Sequence, residues 1–168
     1  MTVLQSIPVG VIVERVKAES PWIDWIWRPA AALAGEPGTP PWTKIAEASD
    51  RTTFYAGTAR VELHPTETAN YRDNLASGAP MLWVVLRETG AEPPYGVYTV
   101  TADPSEGEGM TFAGNDIVEP VPMPDPVREM VEAFVAEHHV DQVFIKRKRD
   151  RANTDALGRR PPARRDEP

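Results

Sequence analysis

Cysteine is absent from all 168 residues. That excludes disulfides, thiolate zinc sites, cysteine nucleophiles and cysteine-ligated iron–sulfur clusters. Histidine is scarce, with only His64, His138 and His139. Neighbouring residues on a helix project ~100° apart, so the 138/139 pair is poorly placed to grip one metal, and a helix C-terminus accounts for polar or cationic residues through its dipole. No apolar run reaches the ~18 residues that span a bilayer; "MLWVVL", Met81 to Leu86, is among the longest. The opening "MTVLQSIPVGVIVERV" has no basic n-region and no small-residue cleavage site, which predicts no signal peptide and a cytoplasmic location. Phosphate-loop motifs are also missing. Gly107, Gly109 and Gly114 in "GEGMTFAG" match neither G-x-G-x-x-G nor the P-loop, where Asn115 and Asp116 replace the required Lys and Ser/Thr. They read as a flexible loop. No serine sits in G-x-S-x-G, and no carboxylate sits in a motif that assigns an acid or base. No cofactor is called for.

Proline is plentiful. Its 18 copies are roughly twice the ~5% average and favour short strands and turns over a helix bundle. Charge is divided unevenly along the chain. The net of −7 combines a tail, residues 146–168, with nine Lys/Arg against four Asp/Glu, and a body with nine against 21. Such a body repels nucleic acid, while "KRKRDR" (Lys146 to Arg151) is free to meet RNA or an acidic partner. No aromatics interleave with those cations, as single-strand binders usually require.

Periodicity places the elements. In "IPVGVIVERV", Val9, Val11 and Val13 share a strand face, with Ile12 half-covered on the other. Alternation in "TFYAGTARVEL" turns Tyr55, Ala59, Val61 and Leu63 inward and Arg60 and Glu62 outward. "HPTETANYRDNLASG" reads as a helix of about three turns ending at Gly78. "MLWVVLR", apolar on both faces, reads as a central strand, and "YGVYTVTA" as the next. A short helical turn fits the loop that follows Ala102. "IVEPVPMP" is extended but confined to an edge by its prolines. Asp125 to His139 is a helix capped by Asp125, with Val127, Met130, Val131, Phe134 and Val135 forming one apolar stripe. Together these predict an α+β domain over 1–145 with a mostly antiparallel sheet of about five to six strands and two amphipathic helices. A disordered basic tail over 146–168 completes the chain.

The tryptophans concentrate in "SPWIDWIWRPAAAL". Ser20 and Pro21 suit a helical turn near 20–24, and Pro29 forbids its extension. An extended segment then puts Trp25 and Trp27 on one face and Arg28 on the other. Tryptophan and arginine are favoured interface anchors, although most indoles fill cores. The candidate partner-binding residues are therefore Trp22, Trp25, Trp27 and Arg28, with Lys146, Arg147, Lys148 and Arg149 in the tail.

Five segments carry a resemblance: "IPVGVIVERVKAESPWIDWIWRPAAALAG", "FYAGTARVELHPTETANYRDNL", "MLWVVLR", "DIVEPVPMPDPVREMVEAFVAEHHV" and "FIKRKRDR". Together they resemble the bacterial domain-of-unknown-function family 3305, across nearly all of 6–150. Members are often encoded beside genes for formate dehydrogenase and other molybdenum enzymes. The resemblance implies a protein partner, a molybdenum-enzyme subunit, and a non-catalytic accessory role in its assembly or regulation. Two alternatives stand beside it. One is a small enzyme of molybdopterin-guanine dinucleotide maturation using carboxylates and His64. The other is an RNA-associated protein acting through its tail.

Overall fold

The computed structural model describes residues 3–112 and 114–140. The expected tail, and with it Lys146, Arg147, Lys148 and Arg149, lies outside the described residues. Among the described residues seven strands form: β1 (Gln5–Lys17), β2 (Trp25–Ala34), β3 (Thr43–Glu47), β4 (Arg51–Leu63), β5 (Met81–Glu88), β6 (Tyr95–Thr101) and β7 (Ile117–Pro122). Three helices accompany them: α1 (Thr68–Ala76), led by a 3-10 turn at Pro65–Glu67, α2 (Pro104–Met110) and α3 (Asp125–His138). The α+β class with antiparallel pairing is as expected. The strands, however, divide into two sheets, ordered β2-β1-β4-β3 and β6-β5-β7. The expected count of five to six misses β3, which follows a proline-rich loop too closely to show a periodic signal of its own.

The two sheets face each other across one core, β4 lying against β6 and β2 against β7. Val9, Val11 and Val13 of β1 are fully buried there, in one cluster with Leu82, Val84 and Leu86 of β5. Each such side chain contributes roughly 1.5–3 kcal/mol through removal from water. As expected, β5 is central and β7 is at an edge, where Pro120 and Pro122 leave no central ladder bond unmade. One end of the paired sheets is closed by helices: Tyr71 of α1 meets Phe134 of α3 edge-on, with ring centroids 6.2 Å apart. Burial pushes the Tyr71 hydroxyl up to about 12, while the backbone N–H of His64 donates to it at 3.0 Å. Asn74 is the polar joint of this end. Its amide donates to the carbonyls of Met81 (2.8 Å) and Ala102 (2.9 Å), and its oxygen accepts from Met81 N (3.0 Å).

Four local expectations are corrected. In β4 the pairing with β1 slips by one residue between Val11 and Ile12, where Ala56 is the extra residue and Gly57 takes φ +136°. Such a bulge reverses the facing of the side chains beyond it. Ala56, Val61 and Leu63 enter the core, while Tyr55 crosses to the other side. There its ring covers Gly10, where a Cβ would come within 2.9 Å of it, and its hydroxyl meets Thr58 Oγ1 at 2.7 Å. Next, the short helical turn expected after Ala102 forms as α2, and Gly107 and Gly109 belong to it and not to a flexible loop. Asp103 caps that helix by accepting from Ser105 N and Glu106 N, and Gly107 packs so closely on Trp83 that a Cβ would lie 2.3 Å from Trp83 Cγ. Finally, Asp125 is the first residue of α3 and not its cap. Pro124 holds the cap position with an extended backbone (φ −60°, ψ 144°), and the Asp125 charge sits at the positive end of the helix dipole. The stripe on α3 is narrower than expected: Val127, Val131 and Phe134 are buried, but Met130 is exposed.

Candidate functional site

Opposite the helices, the end of the molecule where β1 finishes and β2 and β4 begin is aromatic. Trp27 stacks on Phe54 (centroids 5.7 Å, planes 20° apart) and meets Trp42 edge-on at 5.9 Å and Tyr95 at 6.2 Å. Trp42 also meets Phe54, at 5.9 Å. Pairs of this kind are worth ~0.5–1.5 kcal/mol beyond area burial. Trp42 adopts φ 65°, a left-handed conformation strained for an aromatic residue, and its N–H donates to Tyr55 O at 2.6 Å. Trp27 is therefore covered by the protein's own Trp42, by Phe54 of β4 and by Tyr95 at the start of β6, while the Trp25 ring is met by Arg15.

Arg15 sits among these rings. It continues the Val9–Val11–Val13 alternation to the strand end and lies beside Trp27 and Thr52 in the ladder. Its guanidinium carbon is 4.3 Å from the Trp25 ring centroid, 5.6 Å from Trp27 and 5.7 Å from Phe54. Rings at these distances attract a cation by ~0.5–2 kcal/mol. One amine donates to Thr52 Oγ1 at 3.5 Å, and Nε is buried without a hydrogen-bond partner. Arg28 lies apart from this group, as its parity predicts. It pairs with Glu14, a buried carboxylate that Arg51 also reaches at 3.4 Å.

Between β1 and β2 the chain makes a bend, not a helical turn; Ser20 Oγ accepts from Trp22 N at 3.2 Å. Trp22 projects from that bend with 90% of its surface exposed, next to Ile23 at 56%. A cavity of about 260 Å3 opens at its base, lined by Lys17, Ser20, Ile23, Asp24 and Trp25. Of the four residues singled out in the body, the structure brings Trp25 and Trp27 together around Arg15, presents Trp22 to solvent and assigns Arg28 to an ion pair. Sequence reasoning missed Arg15, Trp42, Phe54 and Tyr95. For Arg15 a signal existed in its parity with three core valines. Trp42 had none, since it lies in a stretch of loop composition.

The histidines occupy other places. His64 lines a cleft of about 30 Å3 with Arg60, Glu62, Thr101 and Glu106, the room of a single water. Burial, then the Asp103 charge, raises the Glu106 carboxyl above its ordinary range. A cavity of about 530 Å3 lies between α1 and α3 and is lined by Thr68, Arg72, Asp73, His138 and His139, up to Val140. His139 ties the two helices there, with Nδ1 3.0 Å from Thr68 Oγ1 and Nε2 3.1 Å from Arg72. His138 packs on Phe134, ring centroids 4.5 Å apart. Among the described residues, no three His, Asp or Glu side chains group as metal ligands, and no helix is long and apolar enough to cross a membrane.

The geometry defines a two-sheet α+β domain, closed by helices at one end and carrying an arginine among aromatic rings at the other. The family model described as "Protein of unknown function (DUF3305)" matches residues 8–149, and the chain belongs to that family. No curated protein and no solved structure matches it.

Proposed function

We propose that this chain is a binding module that docks on a partner protein through the bend between β1 and β2, and that the partner is a formate-dehydrogenase-like molybdenum oxidoreductase whose assembly or regulation it assists. The observation that carries the docking reading is Trp22. An indole exposed to 90% beside Ile23 loses hydrophobic stabilisation continuously in water, and the fold does not use it. The platform beneath it is held by Arg15, Trp25 and Trp27, so its presentation costs little ordering on binding. The choice of partner rests on the gene neighbourhood that the family resemblance implies.

The test is co-purification from cells that express the chain together with such an oxidoreductase. The tagged chain is expected to recover the enzyme, and Trp22→Ala with Ile23→Ser is expected to lose it at unchanged thermal stability. Failure to recover any oxidoreductase subunit would remove the partner from the proposal. The maturation-enzyme reading needs space for a pterin or nucleotide, which the 30 Å3 cleft at His64 does not offer. The RNA reading depends on residues 146–168, outside the described residues.

A further inference from the structure

The body of this chain is acidic, with nine Lys/Arg against 21 Asp/Glu in residues 1–145. A cation in such a body has carboxylates to choose from, and most find one. Arg28 and Arg51 take Glu14, Lys44 takes Glu47, Arg60 takes Glu36, Arg87 takes Asp116, and Arg128 takes Asp125 and Glu132. Arg72 meets His139. Arg15 and Lys17 remain, and among the described residues neither makes an ion pair. They are two positions apart on β1, so they share a face at one end of the sheet, roughly 7 Å apart along the strand. Lys17 is exposed and Arg15 half-buried, and Trp25 and the bend that carries Trp22 and Ile23 lie beside them.

Their environment separates the two cations from ordinary surface charges. The Arg15 guanidinium is held by Trp25, Trp27 and Phe54, and among the described residues its one side-chain hydrogen bond is the 3.5 Å contact to Thr52. Its Nε is buried, so the terminal amines, fixed in place by the rings, are the donors left to receive a carboxylate. Lys17 lines the 260 Å3 cavity beside Trp25 and Ile23, and Asp24, which also lines it, makes no ion pair with it.

We propose that Arg15 and Lys17 form an anion-reading pair for an acidic, apolar segment of the partner protein. Two carboxylates of that segment pair with the two cations while its apolar side chains cover Trp22 and Ile23. The spacing suits carboxylates at i and i+2 of an extended chain, or at i and i+4 of a helix. A nucleic-acid backbone fits less well, because the surplus of acidic side chains in the body repels a polyanion while leaving a short acidic peptide within reach of two local cations. The proposal rests on the docking reading above and deepens it by naming the chemistry of the partner's surface.

The test uses the full chain and a fluorescein-labelled helical peptide carrying two glutamates four positions apart among leucines. A second peptide has glutamine in their place. Anisotropy at low salt is expected to show the glutamate peptide binding about tenfold more tightly, with the advantage falling as salt rises. Arg15→Gln is expected to abolish that advantage. Lys17→Glu, an exposed position that leaves the fold intact, is expected to reverse it. Equal binding of the two peptides, an advantage that survives Lys17→Glu, or tighter Arg15-dependent binding of a single-stranded RNA would overturn the proposal. If co-purification recovers the oxidoreductase while the peptides bind equally, the docking module stands and the anion pairing falls. If co-purification fails while the chain still discriminates between the peptides, the anion pairing stands and the oxidoreductase falls as its partner.

Discussion

Gly107 and Tyr71 show how single residues set this fold. At Gly107 the helix α2 touches the indole of Trp83, and a methyl group there would overlap the ring at 2.3 Å. Gly107→Ala is therefore expected to cost about 1–3 kcal/mol by overpacking. A thermal melt checks this, and a second change, Trp83→Leu, is expected to recover part of the loss. Tyr71 makes the stability depend on alkaline pH. Its folded pKa is about 12 because burial disfavours the phenolate, against an ordinary value of 10.0. Between pH 10 and about 12 the unfolded chain has released this proton and the folded chain has not, so stability falls as pH rises through that window. Denaturant titrations at about pH 9 and about pH 11.5, on either side of the onset of that window, are expected to show the fall, and Tyr71→Phe is expected to reduce it.

At the scale of elements, the bend between β1 and β2 and the strand that follows it behave oppositely. Trp22→Ala removes a ring that the fold does not hold, so its effect on stability is expected to stay within about 0.5 kcal/mol. Trp27→Ala empties the space shared by Trp42, Phe54 and Tyr95, at an expected cost of about 3 kcal/mol. Urea melts of the two variants distinguish these outcomes. Much of this arrangement is legible in the residues themselves. Pro29 and the Trp25/Trp27 spacing predict the extended β2, and the prolines of "IVEPVPMP" predict an edge. What alternation does not reveal is the bulge at Ala56, because one inserted residue leaves the composition unchanged while moving Tyr55 to the opposite face. Nor does the glycine content of "GEGMTFAG" announce a helix. Asp103 and Pro104 supply its start, and Gly107 is required by contact with Trp83, which is distant in the chain and leaves no local trace. The covering of Trp27 is equally non-local, since Trp42, Phe54 and Tyr95 come from separate segments.

Across the whole molecule, the helices close one end of two facing sheets, and the aromatic end carries the features left over from folding. Those features are an exposed indole, a neighbouring isoleucine, and two cations that pair with no carboxylate among the described residues of an acidic body. Their coincidence at one bend favours protein docking over catalysis at His64, where the cleft has room for one water. The most direct measurement is co-purification of the full chain with a formate-dehydrogenase-like molybdenum enzyme, comparing the unaltered protein with the Trp22→Ala, Ile23→Ser variant at matched thermal stability. The unaltered chain is expected to recover the enzyme, and the variant is expected to lose it. Recovery by both alike, or by neither, would contradict docking through this bend on such an enzyme.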